Sequence, residues 1–596
     1  MNRPAAIDWK KIARRVYGPA IVLLAAALAT APQIVHGYSC GHDFDFHLVN
    51  WFDALASWHR GLFYPHWAVS PNFGAGEPRF VFYPPLTWML GAALRLVMPW
   101  ATVPVALTFL MLAGAGLGTR ALALEVLGDG AATLAGCLAI FSGYSLFTSY
   151  ERTAFGELTG GLWIPLLLLF ALRERVSADG LFERAFDGSL APLAVVVAGI
   201  WLSDVPLGVM GCYLLAAVAL AAALVRKSWA PVLRAAAGAT LGIGLASIYL
   251  LPAAWEQRWV DVAQATDDPG SRIEANWMFA RHSDPAMDLH DAVLLKVSII
   301  GASMLLLAFG GLLAAGLRGR LKARRDWWMV LALIPAVILV LQLPVSLPLW
   351  NAFPELRLLQ FPWRWLVVLE APMAIFVAAA LWPAKRWRRI LLAGVCAALL
   401  VGVARLTPRM FSQPCDADDS IGGMWNVYRS GAGFEGYNEY APPDADNSQL
   451  AGGLPGACLV ANPQQKLGAP SEDSDNPLWD PSQHSCEATF PATWTAPEQL
   501  QVSASASHAG YLIVRLRSYP AWRVTVNGSV RTNLPERDDG LIVVPVASGT
   551  ANVGARWTTT GDVIAGRWLS AFALVLVTVF GLWERRLRRR LQPHLS

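Results

Sequence analysis

Residues 86–97 read LTWMLGAALRLV, and whether they cross a membrane decides the fold. The stretch is apolar, but it has only twelve residues and contains Arg95. Twelve helical residues rise about 18 Å, well short of the ~30 Å hydrocarbon core of a bilayer. We read it as an interfacial helix introduced by Pro84-Pro85. Counted as a span, it would invert every later segment and put the densest basic loops outside, against the positive-inside rule. Counted as a surface helix, it leaves about twelve spans and puts both chain ends in the cytoplasm.

The spans are residues 18–35, 103–117, 131–146, 158–172, 190–202, 207–225, 232–252, 292–317, 327–341, 366–381, 390–403 and 569–583. Of the 596 residues, 55% are hydrophobic and 15% are charged, where a soluble domain carries about 25% charged. Mean hydropathy is +0.41. The chain reads as a mainly α, polytopic membrane protein. Its first span is taken as an uncleaved anchor, because its apolar run exceeds a usual signal-peptide core.

The net charge of +4 says little about partners, because the charges are sorted by side. Lys10, Lys11, Arg14 and Arg15 precede the first span, and Arg318, Arg320, Lys322, Arg324 and Arg325 fill one short loop. Lys385, Arg386, Arg388 and Arg389 fill another, and five arginines from Arg585 to Arg590 follow the last span. All fall on one face if the spans alternate, so they are topology signals and no nucleic-acid partner is expected. The lipid bilayer is the expected surrounding. Residues 255–291, on the opposite face, carry eight acids against three arginines.

This topology divides the chain into a transmembrane part (1–405), an external region (406–564) and a last span with a basic tail (565–596). External loops fall at 37–100, 149–161, 253–291 and 345–365. Residues 406–564 are long enough for their own core. Their first half is rich in Gly, Pro, Asp and Asn. Their second half alternates in LQVSASA, YLIVRLRSY, WRVTVNG, LIVVPVA and ANVGARW, with hairpin signals at Asn527-Gly528. A small external antiparallel β-sandwich is expected. Seven cysteines show no CxxC spacing; Cys40, Cys415, Cys458 and Cys486 lie outside the spans, and a Cys458–Cys486 bridge is preferred.

Just beyond the first span comes GHDFDFH, residues 41–47. Charge is expensive beside hydrocarbon, so Asp43, Asp45 and His47 invite a chemical reading. Asp43 and His47 are four apart and share a helical face. Asp43 suits a general base toward a hydroxyl, tuned by the imidazole. Asp43 and Asp45 also suit a divalent cation, and the bland alternative for Asp45 and His47 is a capping or loop role. Glu157 opens a span, where the bland reading is a dipole-compensating acid. Arg152 offers a planar fork for a phosphate, with Glu151 beside it. Arg364 is a second phosphate candidate, and anchoring beside Trp363 and Trp365 is its alternative. Asp43, Arg152 and Glu157 are expected to converge on one pocket. No Walker, GxSxG, HExxH or Rossmann sequence occurs, so no nucleotide cofactor is expected.

The strings GHDFDFH, GLFYPHW (61–67), GAGEPRFVFYPPL (74–86), YERTAFGE (150–157), LLQFPWRW (358–365), FEGYNEYAPP (434–443) and YPAWRVTVNG (519–528) resemble, in the same order, those of a bacterial group. These are integral membrane proteins labelled 6-pyruvoyl-tetrahydropterin synthase-related, and the resemblance covers almost the whole chain. The label notwithstanding, nothing here suggests pterin chemistry. The group looks related to YfhO-type proteins and, more distantly, to GT-C glycosyltransferases. That resemblance implies a GT-C-like fold in the bacterial inner membrane. It also implies transfer of a sugar from a polyprenyl-phosphate donor to a glycan, lipid or protein acceptor on the outer face. It matches Asp43 to the catalytic base and Glu157, with Glu151, to the acidic residue that completes the site. A lipid or lipid-linked-glycan transporter and a non-catalytic assembly protein are the competing readings.

Overall fold

The computed structural model describes residues 9–174, 181, 185–186, 189–266, 268–467, 479 and 486–591. The chain ends, 1–8 and 592–596, lie outside that set, and with them part of what the expected cytoplasmic termini concern.

Each of the twelve expected span segments is largely helical, with a break at Phe141 and Ser142 inside 131–146. Ten helices among the described residues are long and apolar enough to cross a bilayer, and the pair Arg325–Leu341 and Pro344–Ala352, bent by 98°, makes an eleventh if it is one span. Leu190–Ser203 is apolar but only 14 residues long. The spans are apolar all round because they face lipid on one side and each other on the other. Leu306, Leu313, Ile390, Leu399 and Phe572 lie on the outside of the bundle, each more than 60% exposed. The interior is filled by aliphatic, small and aromatic side chains, among them Leu112, Ile140, Ala135 and Trp88.

The decisive stretch forms the helix Pro85–Arg95. It buries Trp88, Gly91 and Ala92 and leaves Leu96 and Val97, just past its end, exposed. Gly91 is needed there, since a Cβ would collide with the Trp51 indole of the helix Phe44–His59. Arg95 caps the turn through the Met98 carbonyl and lies over the Trp100 ring. At 11 residues it is shorter than any of the helices long enough to cross a bilayer, and it packs on the helix Phe44–His59.

Among the described residues nine strands form the sheet region: β1 Ala457–Val460, β2 Ala488–Phe490, β3 Ala492–Ala496, β4 Gln499–Ala506, β5 Gly510–Arg517, β6 Trp522–Val526, β7 Ser529–Arg531, β8 Leu541–Val546 and β9 Gly549–Trp557. All pairings are antiparallel, in one sheet of order β2-β1-β5-β8 and another of order β3-β4-β9-β6-β7. The five alternating sequence segments are β4, β5, β6, β8 and β9. The expected segments leave out β1, β2, β3 and β7, of three to five residues each. Asn527 and Gly528, both at positive φ, make the two-residue turn between β6 and β7.

The sheets face each other across Leu459, Leu512, Val514, Val544, Val502, Val524, Val553 and Trp557. β4 alternates buried and exposed because its outer face meets water. β5 and β8 are buried on both faces, because Phe73, Ala75, Leu450 and Leu454 cover the back of their sheet. The first loop also enters the sandwich itself. Trp67 lies 5.2 Å from the Trp522 ring, edge to face, and His66 stacks on Trp557 at 5.6 Å. Among the described residues there are two disulfides: Cys458–Cys486, as preferred from sequence, and Cys40–Cys415, which joins the first loop to the start of the region 406–564.

Candidate functional site

Asp43 is the residue before the helix Phe44–His59, and its backbone amide donates to the Arg152 carbonyl at 2.9 Å. This knits the first loop to the turn after the third span. There the helix loosens into a π-helical run, Thr148–Arg152, closed by Thr153 at φ 51°. A β-branched residue rarely takes that conformation, and such local strain and π-bulges gather at functional sites. Thr153 is held by the Gly41 amide, which donates to its Oγ1 at 3.2 Å. Gly41 must be glycine: a Cβ would stand 2.5 Å from the Glu151 carbonyl oxygen.

The bulge turns Arg152 toward Asp43. Its Nη2 lies 3.2 Å from Asp43 Oδ2, and its Nη1 pairs with Glu157. Glu157 also accepts from the Tyr144 hydroxyl, and Arg364 Nε lies 3.3 Å from Glu157 Oε2. The Arg152 guanidinium rests over Trp363 at 5.0 Å. Arg364 is fixed by the Leu359 carbonyl at 2.8 Å and by Gln360. Side-chain exposure is 7% for Arg152, 4% for Glu157, 11% for Arg364 and 37% for Asp43. Asp43 is thus the member that reaches outward from an otherwise buried ion cluster.

The other candidates stand apart. His47 is buried; its Nε2 accepts from the Phe155 amide at 3.2 Å, and its Nδ1 has no partner. Burial pushes its pKa down to about 4, so it is neutral at ordinary pH. It thus holds Phe155, two residues before Glu157, rather than the Asp43 carboxylate. Asp45 is exposed in the first turn of its helix. Glu151 faces away, with Lys296 Nζ 2.6 and 2.7 Å from its two oxygens.

For a divalent cation the donor set does not fit: among the described residues no three His, Cys, Asp or Glu side chains are grouped to hold one. Asp43, the proposed ligand, has Arg152 as its partner instead. A small hollow lies elsewhere, between Tyr64, Phe80, Tyr249, Val563 and Arg567.

Four participants were not read from the sequence. Tyr144 sits in a span, where a tyrosine carries no signal. Asp204 borders the cluster and reads as an ordinary helix cap, its Oδ2 accepting from the Leu207 amide. Glu77 and Arg79, from GAGEPRF, form a buried pair at 2.5 Å. Glu77 Oε2 also accepts from the Tyr437 amide at 3.2 Å, and the Arg79 guanidinium lies between Phe46 and Tyr437 at 4.7 and 5.0 Å. The first loop and the FEGYNEY segment are thereby locked together beside Asp45. The clue was an acid and a base two apart in an aromatic loop.

A polytopic helical bundle with a sheet region, carrying a buried arginine–carboxylate cluster at one end, defines a membrane protein. It belongs to the family described as 6-pyruvoyl-tetrahydropterin synthase related domain, membrane protein, whose model matches residues 80–407. No curated protein matches the chain. Among solved structures it is similar to the Archaeoglobus fulgidus oligosaccharyltransferase in complex with Zn and sulfate, at 15% identity and TM-score 0.41, over 66% of this chain and 53% of that one. It is similar to Archaeoglobus fulgidus AglB in complex with an inhibitory peptide and a dolichol-phosphate, at 12% identity and TM-score 0.41, over 73% and 61%. It is also similar to the arabinofuranosyltransferase AftD from Mycobacteria, at 13% identity and TM-score 0.39, over 92% and 57%. The chain spans little more than half the length of these structures, and likeness at this level leaves its activity open.

Proposed function

We propose that the chain is a GT-C-like membrane glycosyltransferase that moves a sugar from a polyprenyl-phosphate donor to an acceptor hydroxyl outside the cytoplasm. The observation that carries this reading is Arg152, which touches Asp43 on one side and Glu157 on the other, with Arg364 on the same Glu157. Asp43 takes the hydroxyl proton as the acceptor oxygen bonds to the anomeric carbon. The bond from that carbon to the phosphate oxygen breaks, and its electron pair leaves with the lipid phosphate. Arg152 and Arg364 meet the charge that develops there, where a dry site makes them most effective. Glu157 and Tyr144 keep both guanidinium groups aimed, His47 positions the turn, and Asp45 flanks the acceptor side. Glu151 serves only through Lys296.

The reading places the protein in the inner membrane of a bacterium, both termini cytoplasmic, with 1–405 as the catalytic membrane part and 406–564 outside. The Cys40–Cys415 bridge supports this. It requires loop 37–100 and region 406–564 to share a side, and disulfides persist where the surroundings are oxidising. Glycan and lipid analysis of cells carrying only Asp43→Asn tests the reading. Transfer is expected to fall by about 10²–10⁴-fold, with folding and phosphate-lipid binding unchanged. Unaltered transfer would end the assignment.

A further inference from the structure

Arg515 and Arg517 both reach from the end of β5 into the segments that cover the back of its sheet. Arg517 is 1% exposed. Its backbone amide donates to the Ala75 carbonyl at 3.0 Å, and its Nη1 donates to Asn447 Oδ1 at 2.6 Å. Its Nε and Nη2, like Asn447 Nδ2, have no hydrogen-bond partner among the described residues. Nε and Nη2 share one edge of the planar group, and that edge is the fork that meets two oxygens of one oxyanion. Gly540, at φ 64°, borders it: a Cβ there would stand 3.1 Å from Arg517 Nε, 3.0 Å from Ala445 Cβ and 3.3 Å from Pro442 Cγ. The acids of the neighbouring segments are engaged elsewhere. Asp539 pairs with Arg537 at 2.5 Å, Asp446 accepts from the Ser448 amide and hydroxyl, and Glu77 is held by Arg79, Asn72 and the Tyr437 amide. Arg515 offers no relief, since it is a second cation, held by the Leu454 carbonyl at 2.9 Å.

A buried charge that lacks both a counter-charge and two of its hydrogen bonds is costly, and orphaned buried donors of this kind mark a place for a ligand. Water would meet the donors and leave the charge unanswered. We propose that the Nε–Nη2 edge of Arg517 binds a small free oxyanion, a carboxylate or an inorganic oxyanion, with one oxygen on each nitrogen. Pro442, Ala445 and Gly540 close around the edge, which suits a small ion rather than a polymer end. Asn447 is half-buried and its neighbours Asp446 and Ser448 are exposed, so the way in lies through this turn. The bound ion ties together the 74–77 turn of the first loop, the 442–447 segment and the end of β5. It therefore braces the loop that carries Glu77 and Arg79. The site is separate from the Asp43 cluster and does not depend on the proposed transfer.

The test is thermal unfolding of the full chain in detergent, with sodium acetate or sodium sulfate replacing sodium chloride at fixed ionic strength. Chloride is a single atom and cannot span the fork, so it serves as the reference. The wild type is expected to gain about 2–4 °C at an oxyanion concentration near ten times its dissociation constant, with a saturating dose dependence. Sulfate also stabilises proteins in general, by exclusion from their surface, and that effect does not saturate. Arg517→Met keeps the bulk without the charge, and Arg517→Lys keeps the charge without the fork. Both should lose the saturating gain. A gain with acetate alone assigns a carboxylate, and a gain with sulfate alone assigns an inorganic oxyanion. A saturating gain in both variants equal to that of the wild type, or none in the wild type with either salt, would overturn the proposal. If neither variant folds, equilibrium dialysis of the wild type against radiolabelled acetate and sulfate decides: about one ion bound per chain supports the site, and none bound overturns it.

Discussion

At the residue scale, Glu157 is the most constrained member of the cluster, since it is buried and touches Arg152, Arg364 and Tyr144 at once. Replacing it by glutamine leaves two buried cations short of a counter-charge. Removing one partner of a buried pair costs about 3–5 kcal/mol. Glu157→Gln is therefore expected to lower the denaturation midpoint in detergent as well as phosphate binding, whereas Asp43→Asn, at a half-open position, should lower neither. His47 gives a pH prediction. Its folded pKa of about 4 lies below the unfolded value of 6.5, so the unfolded chain binds the extra proton between the two. Stability is full above pH 6.5 and is lost as pH falls toward 4, by about 3 kcal/mol in all. His47→Gln keeps an acceptor for the Phe155 amide and should remove that share of the acid sensitivity. Unfolding curves of the two proteins that stay parallel from neutral pH to about pH 4 would count against it.

At the scale of elements, the site exists because two segments are stitched along their backbones. Gly41 lies against Glu151 and Thr153, and the Asp43 amide donates to the Arg152 carbonyl. Gly41→Ala should push them apart, costing roughly 1–3 kcal/mol in overpacking and breaking the Asp43–Arg152 contact. Phosphate binding should then survive better than transfer, since Arg152 keeps Glu157. Equal loss of both would show that the stitch sets the whole cluster. The sequence disclosed the acids and arginines but not this stitch, because a π-bulge and a left-handed threonine leave no periodic trace. The same reasoning covers Asp204. Its cap to Leu207 is local and legible, while its second oxygen meets Gly156, forty-eight positions earlier, only through folding.

At the scale of the whole molecule, the membrane part and the sheet region are fastened by a few long-range contacts. Tyr519 donates to Glu256 at 2.5 Å, Trp67 enters the sandwich core, and Cys40 bonds to Cys415. Trp67→Ala removes a fully buried indole and should destabilise the sheet region by about 3–5 kcal/mol. Limited proteolysis between 499 and 558 would register this as faster cleavage; an unchanged rate would mean that the first loop does not brace the sheets. Topology is checked by reporter fusions after Trp583, which are expected to report the cytoplasm. An external signal there would overturn the span order and, with it, the sidedness of the cluster.

The sequence by itself determined the helical segments, including the short helix Pro85–Arg95, and the long strands. These follow from hydrophobic period and length, which are properties of consecutive residues. It also marked Asp43, Arg152, Glu157 and Arg364, because charge beside hydrocarbon is costly enough to stand out. Only the tertiary structure decided who partners whom. Glu151 and Arg152 are chain neighbours, yet one turns to Lys296 and the other to Asp43 and Glu157. His47 turned out to serve a backbone amide rather than the neighbouring carboxylate. Side-chain direction at a bulge, and contact between segments about 110 positions apart, depend on how the helices pack, and packing is settled by the whole bundle at once.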